Sequence, residues 1–130
     1  METPNRVTPF TDAELDEFRA LILEKRASAQ ADIDAMRGQI RDSQEADNDS
    51  SYGSHMADAG SDVAGRDGLY QTMSRLQTFV GHLDRALERI ARKTYGVCKV
   101  TGKPIAPERL RAVPHTETSI DAKRDEQKRR

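Results

Sequence analysis

Apolar residues follow a helical spacing in two long stretches of the chain. In the second stretch they recur at alternating steps of three and four, which is the heptad pattern of a coiled-coil helix. These positions are Leu69, Met73, Leu76, Val80, Leu83, Leu87 and Ile90. The first stretch carries a less regular stripe at Leu15, Phe18, Ile22, Ala29, Ile33, Met36 and Ile40. The pattern predicts two long amphipathic helices.

The start of the first helix has a clear capping signal. Thr11 and Glu14 have the spacing of a capping box, in which each side chain accepts a hydrogen bond from the other residue's backbone N–H. The periodic pattern then continues to about residue 46, so we predict a helix over 11–46. Residues 1–10 contain two prolines and no period, which predicts a flexible N-terminal segment.

A polar segment joins the two predicted helices. Residues 47–61 are rich in Asn, Asp, Ser and Gly, a composition typical of a loop. The second helix is expected to end after Tyr95, where Gly96 can stop it. Two helices of this length and a short loop favour an antiparallel coiled-coil hairpin over 11–94, with the loop at its tip. A homodimer or four-helix assembly is the alternative; we expect a monomer.

The chain beyond the second helix loses helical periodicity. Glycine and proline interrupt residues 95–122, which indicates a small module of loops and turns. A basic helix is predicted from about 119 to 130. The predicted fold class is therefore mainly α: a long antiparallel two-helix coiled-coil hairpin, a small zinc-finger-like globular module and a C-terminal helix.

Charge is distributed unevenly, although the formal net charge is only −1. Residues 1–84 hold 8 Lys/Arg and 16 Asp/Glu, whereas residues 85–130 hold 13 Lys/Arg and 6 Asp/Glu. The stretch 42–67 alone has seven acids and one base. The near-neutral total argues against a protein that coats nucleic acid by bulk attraction. The hairpin tip is expected to be acidic and the C-terminal third basic.

Cysteine content and hydropathy indicate the compartment. A single cysteine, Cys98, excludes an internal disulfide, and no secretory segment is recognisable. No apolar run approaches the length of a membrane span. We therefore expect a cytoplasmic protein without a membrane partner. No nucleophile–base pair, phosphate-binding loop or metal cage is recognisable, so we expect no enzymatic activity.

The turn-rich module carries the spacing of a metal site without most of its ligands. Cys98 and Thr101 are separated by two residues, and so are Ser119 and Ala122, with seventeen residues between the pairs. This is the frame of a four-cysteine zinc site in which three ligands are replaced. One thiolate cannot hold Zn²⁺ tetrahedrally, and hydroxyls are poor zinc ligands at neutral pH.

Here the sequence resembles the DksA/TraR family of bacterial RNA polymerase regulators. The residues that carry the resemblance are Tyr95-Gly96-Val97-Cys98, Thr101-Gly102, Ile105, Arg109-Leu110, Ala112, Pro114 and Ser119-Ile120-Asp121-Ala122-Lys123. The set at the four ligand positions is similar to the cysteine-poor branch of the family, which folds without metal. The resemblance implies that structural zinc has been lost and that no cofactor is required.

The resemblance also implies a role for the tip. In the family, the hairpin tip enters the secondary channel of RNA polymerase, and an Asp-x-x-Asp-x-Ala motif approaches the active centre. His55 replaces the first Asp, Asp58 is retained, and Gly60 replaces the Ala. The implied polymerase-facing positions are His55, Ala57, Asp58, Gly60 and Ser61 at the tip, and Arg75 on the second helix.

Some family members bind guanosine tetraphosphate, the effector of the stringent response, where the finger module and the base of the hairpin meet polymerase. Of the basic positions expected there, Lys123 matches, His82 stands in place of a Lys and Val113 in place of an Arg. His82 and Lys123 are thus the candidate alarmone contacts. Because a highly phosphorylated nucleotide needs several fixed cations, the substitutions predict weakened binding.

The leading interpretation is a bacterial transcription regulator that binds RNA polymerase and makes no sequence-specific contact with DNA. One alternative is a nucleic-acid-binding module that uses the basic C-terminal third. Its candidate residues are Lys123, Arg124, Lys128, Arg129 and Arg130. The other alternative is a generic coiled-coil adaptor.

Overall fold

A computed structural model describes residues 7–49, 56–120 and 122–123, with backbone alone for 46–49 and 56–64. His55 and most of the predicted helix 119–130 lie outside these residues. The described chain contains three helices, α1 (Asp12–Asp49), α2 (Met56–Ala91) and the short α3 (Pro107–Ala112). The prediction of a mainly α fold with two long helices is confirmed.

The predicted capping box forms at the start of α1. The Thr11 backbone N–H donates to Glu14 Oε1 at 3.0 Å, and the Glu14 N–H donates to Thr11 Oγ1 at 3.2 Å. The backbone hydrogen bond from Thr11 also lowers the pKa of Glu14, because it stabilises the carboxylate form. The reciprocal bonds satisfy two N–H groups that the first helical turn would otherwise leave without partners.

The two long helices extend into the segment predicted as a loop. α1 continues to Asp49 and α2 begins at Met56, so the prediction of a loop over 47–61 was wrong for residues 47–49 and 56–61. Each added helical residue forms one more backbone hydrogen bond once the helix is nucleated, and this gain outweighs the weak propensity of the polar residues. The alanines at 57 and 59 favour the helix further.

The C-terminal end of α2 is a Schellman motif and comes earlier than predicted. Lys93 adopts a left-handed φ of 61°, the Thr94 N–H donates to Arg89 O at 2.9 Å, and the Lys93 N–H donates to Ile90 O at 3.1 Å. The predicted stop at Gly96 was wrong because α2 ends at Ala91. A lysine in this conformation gives no sequence signal, since the position normally favours glycine.

The chain divides into two compact units, which are Met1–Arg26 with Gly81–Arg130, and Ala27–Val80. In the first unit, the N-terminal part of α1 runs antiparallel to the C-terminal part of α2. Lys93 Nζ lies 3.1 Å from Asp12 Oδ1, and Arg26 Nε lies 2.6 Å from Asp84 Oδ1. The buried side chains of this unit include Leu15, Phe18, Ile22, Leu83, Ala86, Ile90, Tyr95, Ile105 and Leu110.

The second unit has a smaller core. Ala29, Ile33 and Val80 are buried together, and Met73, Leu76 and Phe79 pack against them while remaining partly exposed. The cluster contains residues of both α1 and α2, and three of its members, Met73, Leu76 and Val80, belong to the predicted heptad stripe of α2. Within the described helices, no segment is long and apolar enough to cross a bilayer.

The segment before α1 is fixed against the end of α2. The backbone N–H groups of Val7 and Thr8 donate to Lys93 O at 3.0 Å, and Thr8 Oγ1 donates to Tyr95 O at 2.6 Å. Phe10 is 7% exposed and its ring centroid lies 5.1 Å from that of Phe18. The prediction of a flexible segment over 1–10 was therefore wrong for residues 7–10. An apolar residue just before the helix cap is a known sequence signal for such anchoring.

Candidate functional site

The turn-rich module is built around a tight backbone turn after Cys98. Gly102 N–H donates to Cys98 O, and Cys98 N–H donates to Lys103 O, both at 2.8 Å. An isolated antiparallel bridge joins Val97 to Pro104. Gly102 has a φ of 72°, a left-handed conformation that glycine adopts without strain. These bonds define a compact turn over residues 97–104, which is called the knuckle below.

Hydrogen bonds connect the positions that match the zinc ligands. Ser119 N–H donates to Cys98 Sγ at 3.4 Å, and Ala122 N–H donates to Ser119 Oγ at 3.2 Å. Thr101 Oγ1 accepts a bond from Lys103 N–H at 3.3 Å. Cys98 and Ala122 are buried, whereas Thr101 is exposed. The knuckle and the Ser119 segment are thus joined by weak local bonds at the place where a metal would join them.

The environment of Cys98 favours its thiolate. Burial raises the pKa of this thiol, but hydrogen bonds from the Thr101 hydroxyl and from the N–H groups of Ser119, Thr101 and Val100 outweigh burial and lower the pKa to about 6. Backbone N–H groups from both halves of the four-position frame thus stabilise the Cys98 thiolate.

The donor set does not fit zinc. A structural zinc site needs four ligands drawn from thiolates, imidazoles and carboxylates. Ala122 offers no donor atom, and Thr101 and Ser119 offer only hydroxyls. Over the part of the chain that the structure describes, no group of three or more His, Cys, Asp or Glu side chains is arranged to hold a metal ion.

Tyr95 joins the module to the helices. Its hydroxyl donates to Pro114 O at 2.8 Å, and its ring centroid lies 5.4 Å from that of Phe18. Burial raises the pKa of the phenol far above its ordinary value, although the charge of Arg89 opposes this. Tyr95 therefore remains a neutral hydrogen-bond donor, and it holds the segment that precedes His115.

A groove of about 670 Å³ opens beside this module. It lies within the first unit and is bounded by the last part of α2, the knuckle and the segment after α3. The described lining residues are His82, Lys99, Val100, Thr101, Arg109, Val113, His115, Thr116, Glu117, Thr118, Ala122 and Lys123. Lys99, Arg109 and Lys123 outnumber the one acid of this lining, Glu117, so an anion is the ligand that it suits.

Two histidines stack at one side of the groove. The ring centroids of His82 and His115 are 5.7 Å apart with an interplanar angle of 24°. Arg85 Nη2 lies 2.7 Å from His82 Nδ1. Burial lowers the pKa of His115, and so do the charges of His82, Arg89 and Lys25. His115 is therefore largely neutral at neutral pH.

Glu117 contributes the carboxylate of the described lining. Its Oε1 lies 3.0 Å from Arg89 Nη1, and its Oε2 lies 3.1 Å from Lys99 Nζ. The hydrogen bond from Lys99 lowers the pKa of Glu117, with further lowering by the charges of Arg89, Lys99 and Arg85, while burial opposes this. Glu117 is thus ionised throughout the neutral range.

Arg109, which also lines the groove, is bonded to the segment after α3. Its Nε donates to Thr118 O at 2.8 Å.

The structure brings together the three positions at which the family resemblance implies contacts with guanosine tetraphosphate. His82, Val113 and Lys123 all line the groove, and so do Thr101 and Ala122 of the degenerate zinc frame. Arg75 lies on α2 in the second unit and is exposed. Of the predicted tip residues, Ala57, Asp58, Gly60 and Ser61 belong to α2, and their side chains lie outside the described part.

Four ionisable side chains among the described lining residues of the groove were not predicted from the sequence. They are Lys99, Arg109, His115 and Glu117. The excess of Lys and Arg after residue 85 was a signal for the basic residues, although it gave no positions. The pairing of Glu117 with Lys99 had no signal, because it depends on how the knuckle folds back on the later segment.

Comparison with known proteins identifies the family. Residues 93–128 match the prokaryotic dksA/traR C4-type zinc finger. The chain is 39% identical over 72 residues to general stress protein 16O of Bacillus subtilis, covering 55% of this chain and 44% of that protein. It is 32% identical over 74 residues to the RNA polymerase-binding transcription factor DksA of Caulobacter vibrioides, covering 57% of this chain and 52% of that protein. The matches thus span about half the length of these curated relatives.

A solved structure extends the similarity over nearly all of the chain. The transcription factor DksA2 from Pseudomonas aeruginosa superposes with a TM-score of 0.79 at 35% sequence identity. The superposition covers 90% of this chain and 85% of that one. Similarity at this identity and coverage includes the long helices as well as the finger module. The chain therefore belongs to the DksA/TraR family.

Proposed function

We propose that this protein is a cytoplasmic, non-enzymatic regulator of transcription that binds RNA polymerase directly as a monomer, without sequence-specific contact with DNA. The observation that carries the proposal is the similarity to DksA2 over 90% of the chain. The name of the Caulobacter relative states that it binds RNA polymerase. The long paired helices and the finger module are the parts shared with such a protein.

The finer proposal is that the acidic hairpin tip enters the secondary channel of the polymerase. The stretch 42–67 carries seven acids and one base, a charge that suits a channel lined by basic groups near a catalytic Mg²⁺. Asp58 occupies the acidic position that resemblance places nearest the active centre. The exposed Arg75 is proposed to face polymerase from the side of α2.

Guanosine tetraphosphate is the proposed effector, and the groove beside the knuckle is its proposed site. His82 and Lys123 line the groove together with Lys99 and Arg109. These groups supply cations and N–H donors, which phosphate oxygens require. Val113 supplies neither, so the proposal includes weaker binding than an arginine at that position would give.

Capture by RNA polymerase core enzyme tests the proposed function. We expect the 130-residue chain to be retained by immobilised core enzyme after nuclease treatment, because the proposed contacts are with protein. Replacing residues 47–61 with a short Gly/Ser linker is expected to reduce the retained amount, since the inserted tip contacts are lost. Retention of the unmodified chain at the level of empty beads would contradict the proposal. Loss of retention after nuclease treatment would favour the nucleic-acid alternative.

The proposed loss of structural zinc has its own test. Purified protein is expected to contain far less than one equivalent of zinc by elemental analysis, and to keep its melting temperature in EDTA, because one thiol and two hydroxyls do not hold the ion. The triple variant Thr101→Cys/Ser119→Cys/Ala122→Cys is the matched positive control and is expected to bind zinc. One tightly held zinc per chain in the unmodified protein would show that the proposal is wrong.

A further inference from the structure

Residues 7–10, called the strap below, lie against the two residues that begin the finger module. Thr8 Oγ1 donates a hydrogen bond to Tyr95 O at 2.6 Å and accepts one from Phe10 N–H at 3.4 Å. The Phe10 ring lies against Gly96, where an added Cβ would overlap the ring. Thr8 and Phe10 are both buried. The strap therefore holds the backbone at residues 95 and 96 by a buried hydrogen bond and by close packing.

The strap is itself fixed to the two long helices. The Phe10 ring centroid lies 5.1 Å from that of Phe18 on α1 and 6.4 Å from that of Tyr95. The Phe18 and Tyr95 centroids are 5.4 Å apart, so the three rings form one cluster. At the other end of the strap, two backbone N–H groups donate to Lys93 O at 3.0 Å. The stability of the helices is thus transmitted to the start of the finger module.

The two residues that the strap holds reach both halves of this module. Gly96 O accepts a hydrogen bond from Ile105 N–H at 2.8 Å, at the end of the knuckle. The Tyr95 hydroxyl donates to Pro114 O at 2.8 Å, in the segment that follows α3. All four residues are buried. The first bond fixes the half of the zinc frame that lies in the knuckle, and the second fixes the segment that leads to the other half.

A module of this size needs such external support. Residues 95–122 form too short a chain to be held together by burial of their own apolar side chains. In a four-cysteine finger the metal joins the two halves. Here the donor set does not fit zinc, and the bond from Ser119 N–H to Cys98 Sγ is long, with sulfur as a weak acceptor. Contacts from outside the frame must therefore supply most of the stability.

We propose that the strap takes the structural role that zinc has in a four-cysteine finger: it holds Tyr95 and Gly96 in the position from which they fix both halves of the module. The proposal rests on the proposed loss of structural zinc and deepens it, because it names the residues that keep the module folded without metal. Since no thiol takes part in the strap contacts, the module keeps its fold when zinc is scarce or thiols are oxidised.

The test measures amide hydrogen exchange by NMR in the 130-residue chain, with Phe10→Ala compared with Val7→Ala. The reporting amides are those of Gly102 and Ile105, which donate within the module. We expect Phe10→Ala to speed their exchange at least about tenfold, because opening the module no longer exposes a buried aromatic ring. Val7→Ala is expected to stay within about twofold, since this side chain is 60% exposed and the backbone bond to Lys93 O remains.

The triple variant Thr101→Cys/Ser119→Cys/Ala122→Cys, loaded with zinc, supplies a second background for the same substitution. There we expect Phe10→Ala to speed exchange of the module amides by less than about threefold, because the metal joins the two halves independently of the strap. Equal effects of Phe10→Ala in the two backgrounds would show that the strap and the metal do not share a role, and would overturn the proposal.

A second variant keeps the proposal falsifiable if Phe10→Ala does not fold or the triple variant takes up no zinc. Thr8→Val removes the hydroxyl that bonds to Tyr95 O but keeps the shape of the side chain, and it is expected to speed exchange at the module amides at least about threefold. The amide of Ile33, in the second unit, is the reference and is expected to keep its rate. Unchanged exchange at the module amides, or an equal change at Ile33, would also contradict the proposal.

The outcome is independent of the other proposals. Zinc content is measured on the same samples, so zinc bound by the unmodified chain is recognised as failure of the proposed zinc loss. No polymerase is present in the exchange experiment, and capture by core enzyme is measured separately. Failure of the strap proposal is therefore distinguishable from failure of the proposed function in transcription.

Discussion

Gly96→Ala is expected to lower the free energy of unfolding by about 3 kcal/mol, from backbone strain and steric overlap combined. Gly96 has a φ of 86°, where an L-residue is strained. A Cβ at this position would also overlap the Phe10 ring, whose Cδ2 would lie 2.8 Å away. The ring cannot move freely because it packs 5.1 Å from the Phe18 ring. Chemical denaturation followed by circular dichroism measures the loss.

Gly102→Ala is the matched control for that substitution. Gly102 has a similar φ of 72°, but nothing lies within 4 Å of the position that its Cβ would take. The strain of the backbone therefore remains while the overlap is absent, and we expect a loss of about 1 kcal/mol. Equal losses for the two variants would show that the close approach of Phe10 does not restrict residue 96.

The comparison of Gly96→Ala with Gly102→Ala also tests whether the N-terminal segment is anchored. Phe10 reaches Gly96 because the backbone of Val7 and Thr8 is bonded to Lys93 O. If this segment were flexible in solution, the Phe10 ring would yield to a methyl group at residue 96, and Gly96→Ala would resemble Gly102→Ala. The pair of variants thus tests the anchoring of residues 7–10 as well as the fit of Gly96.

Asp58→Asn is expected to abolish the effect of the protein on transcription initiation while leaving its capture by polymerase within about twofold. The substitution removes the negative charge that the proposed mechanism brings to the basic channel, whereas the rest of the binding surface is unchanged. The lifetime of promoter complexes in a reconstituted transcription assay measures the effect, and capture by immobilised core enzyme measures binding.

Asp67→Asn supplies the control for the tip substitution. Asp67 is an exposed acid on α2 outside the tip motif, and its replacement makes the same change in net charge. We expect this variant to keep its effect on promoter complexes. Full activity of Asp58→Asn would contradict the proposed tip mechanism, and loss of activity in both variants would indicate that overall acidity of the hairpin, rather than Asp58, is required.

Local patterns predicted the helices well and their ends poorly. The heptad stripe of α2 and the Thr11–Glu14 capping box are set by residues three or four apart, so one sequence suffices to recognise them. The end of α2 depends on Lys93 accepting a left-handed conformation. Lys93 O accepts hydrogen bonds from the backbone N–H groups of Val7 and Thr8, and these bonds help to hold that conformation. The two donors lie more than eighty residues away in sequence. No local signal reports such a partner.

The candidate site was predictable only at the positions that match a known motif. Spacing alone identified Cys98 and Ser119 as parts of one frame, and the Ser119 N–H does donate to Cys98 Sγ. Resemblance placed His82 and Lys123 together, and both line the groove. Glu117 was not predicted, because its significance comes from two ion pairs with residues on the knuckle and on α2.

By itself, the sequence determined two amphipathic helices, an acidic stretch between them, a basic C-terminal third and a zinc frame with one remaining thiol, because periodicity, charge and spacing are properties of neighbouring residues. Only the tertiary structure decided that residues 7–10 are anchored, that Gly96 lies against the Phe10 ring and that Glu117 pairs with Arg89 and Lys99. These features join segments far apart in the chain, and their energies arise from close packing and from charges brought within about 3 Å of each other.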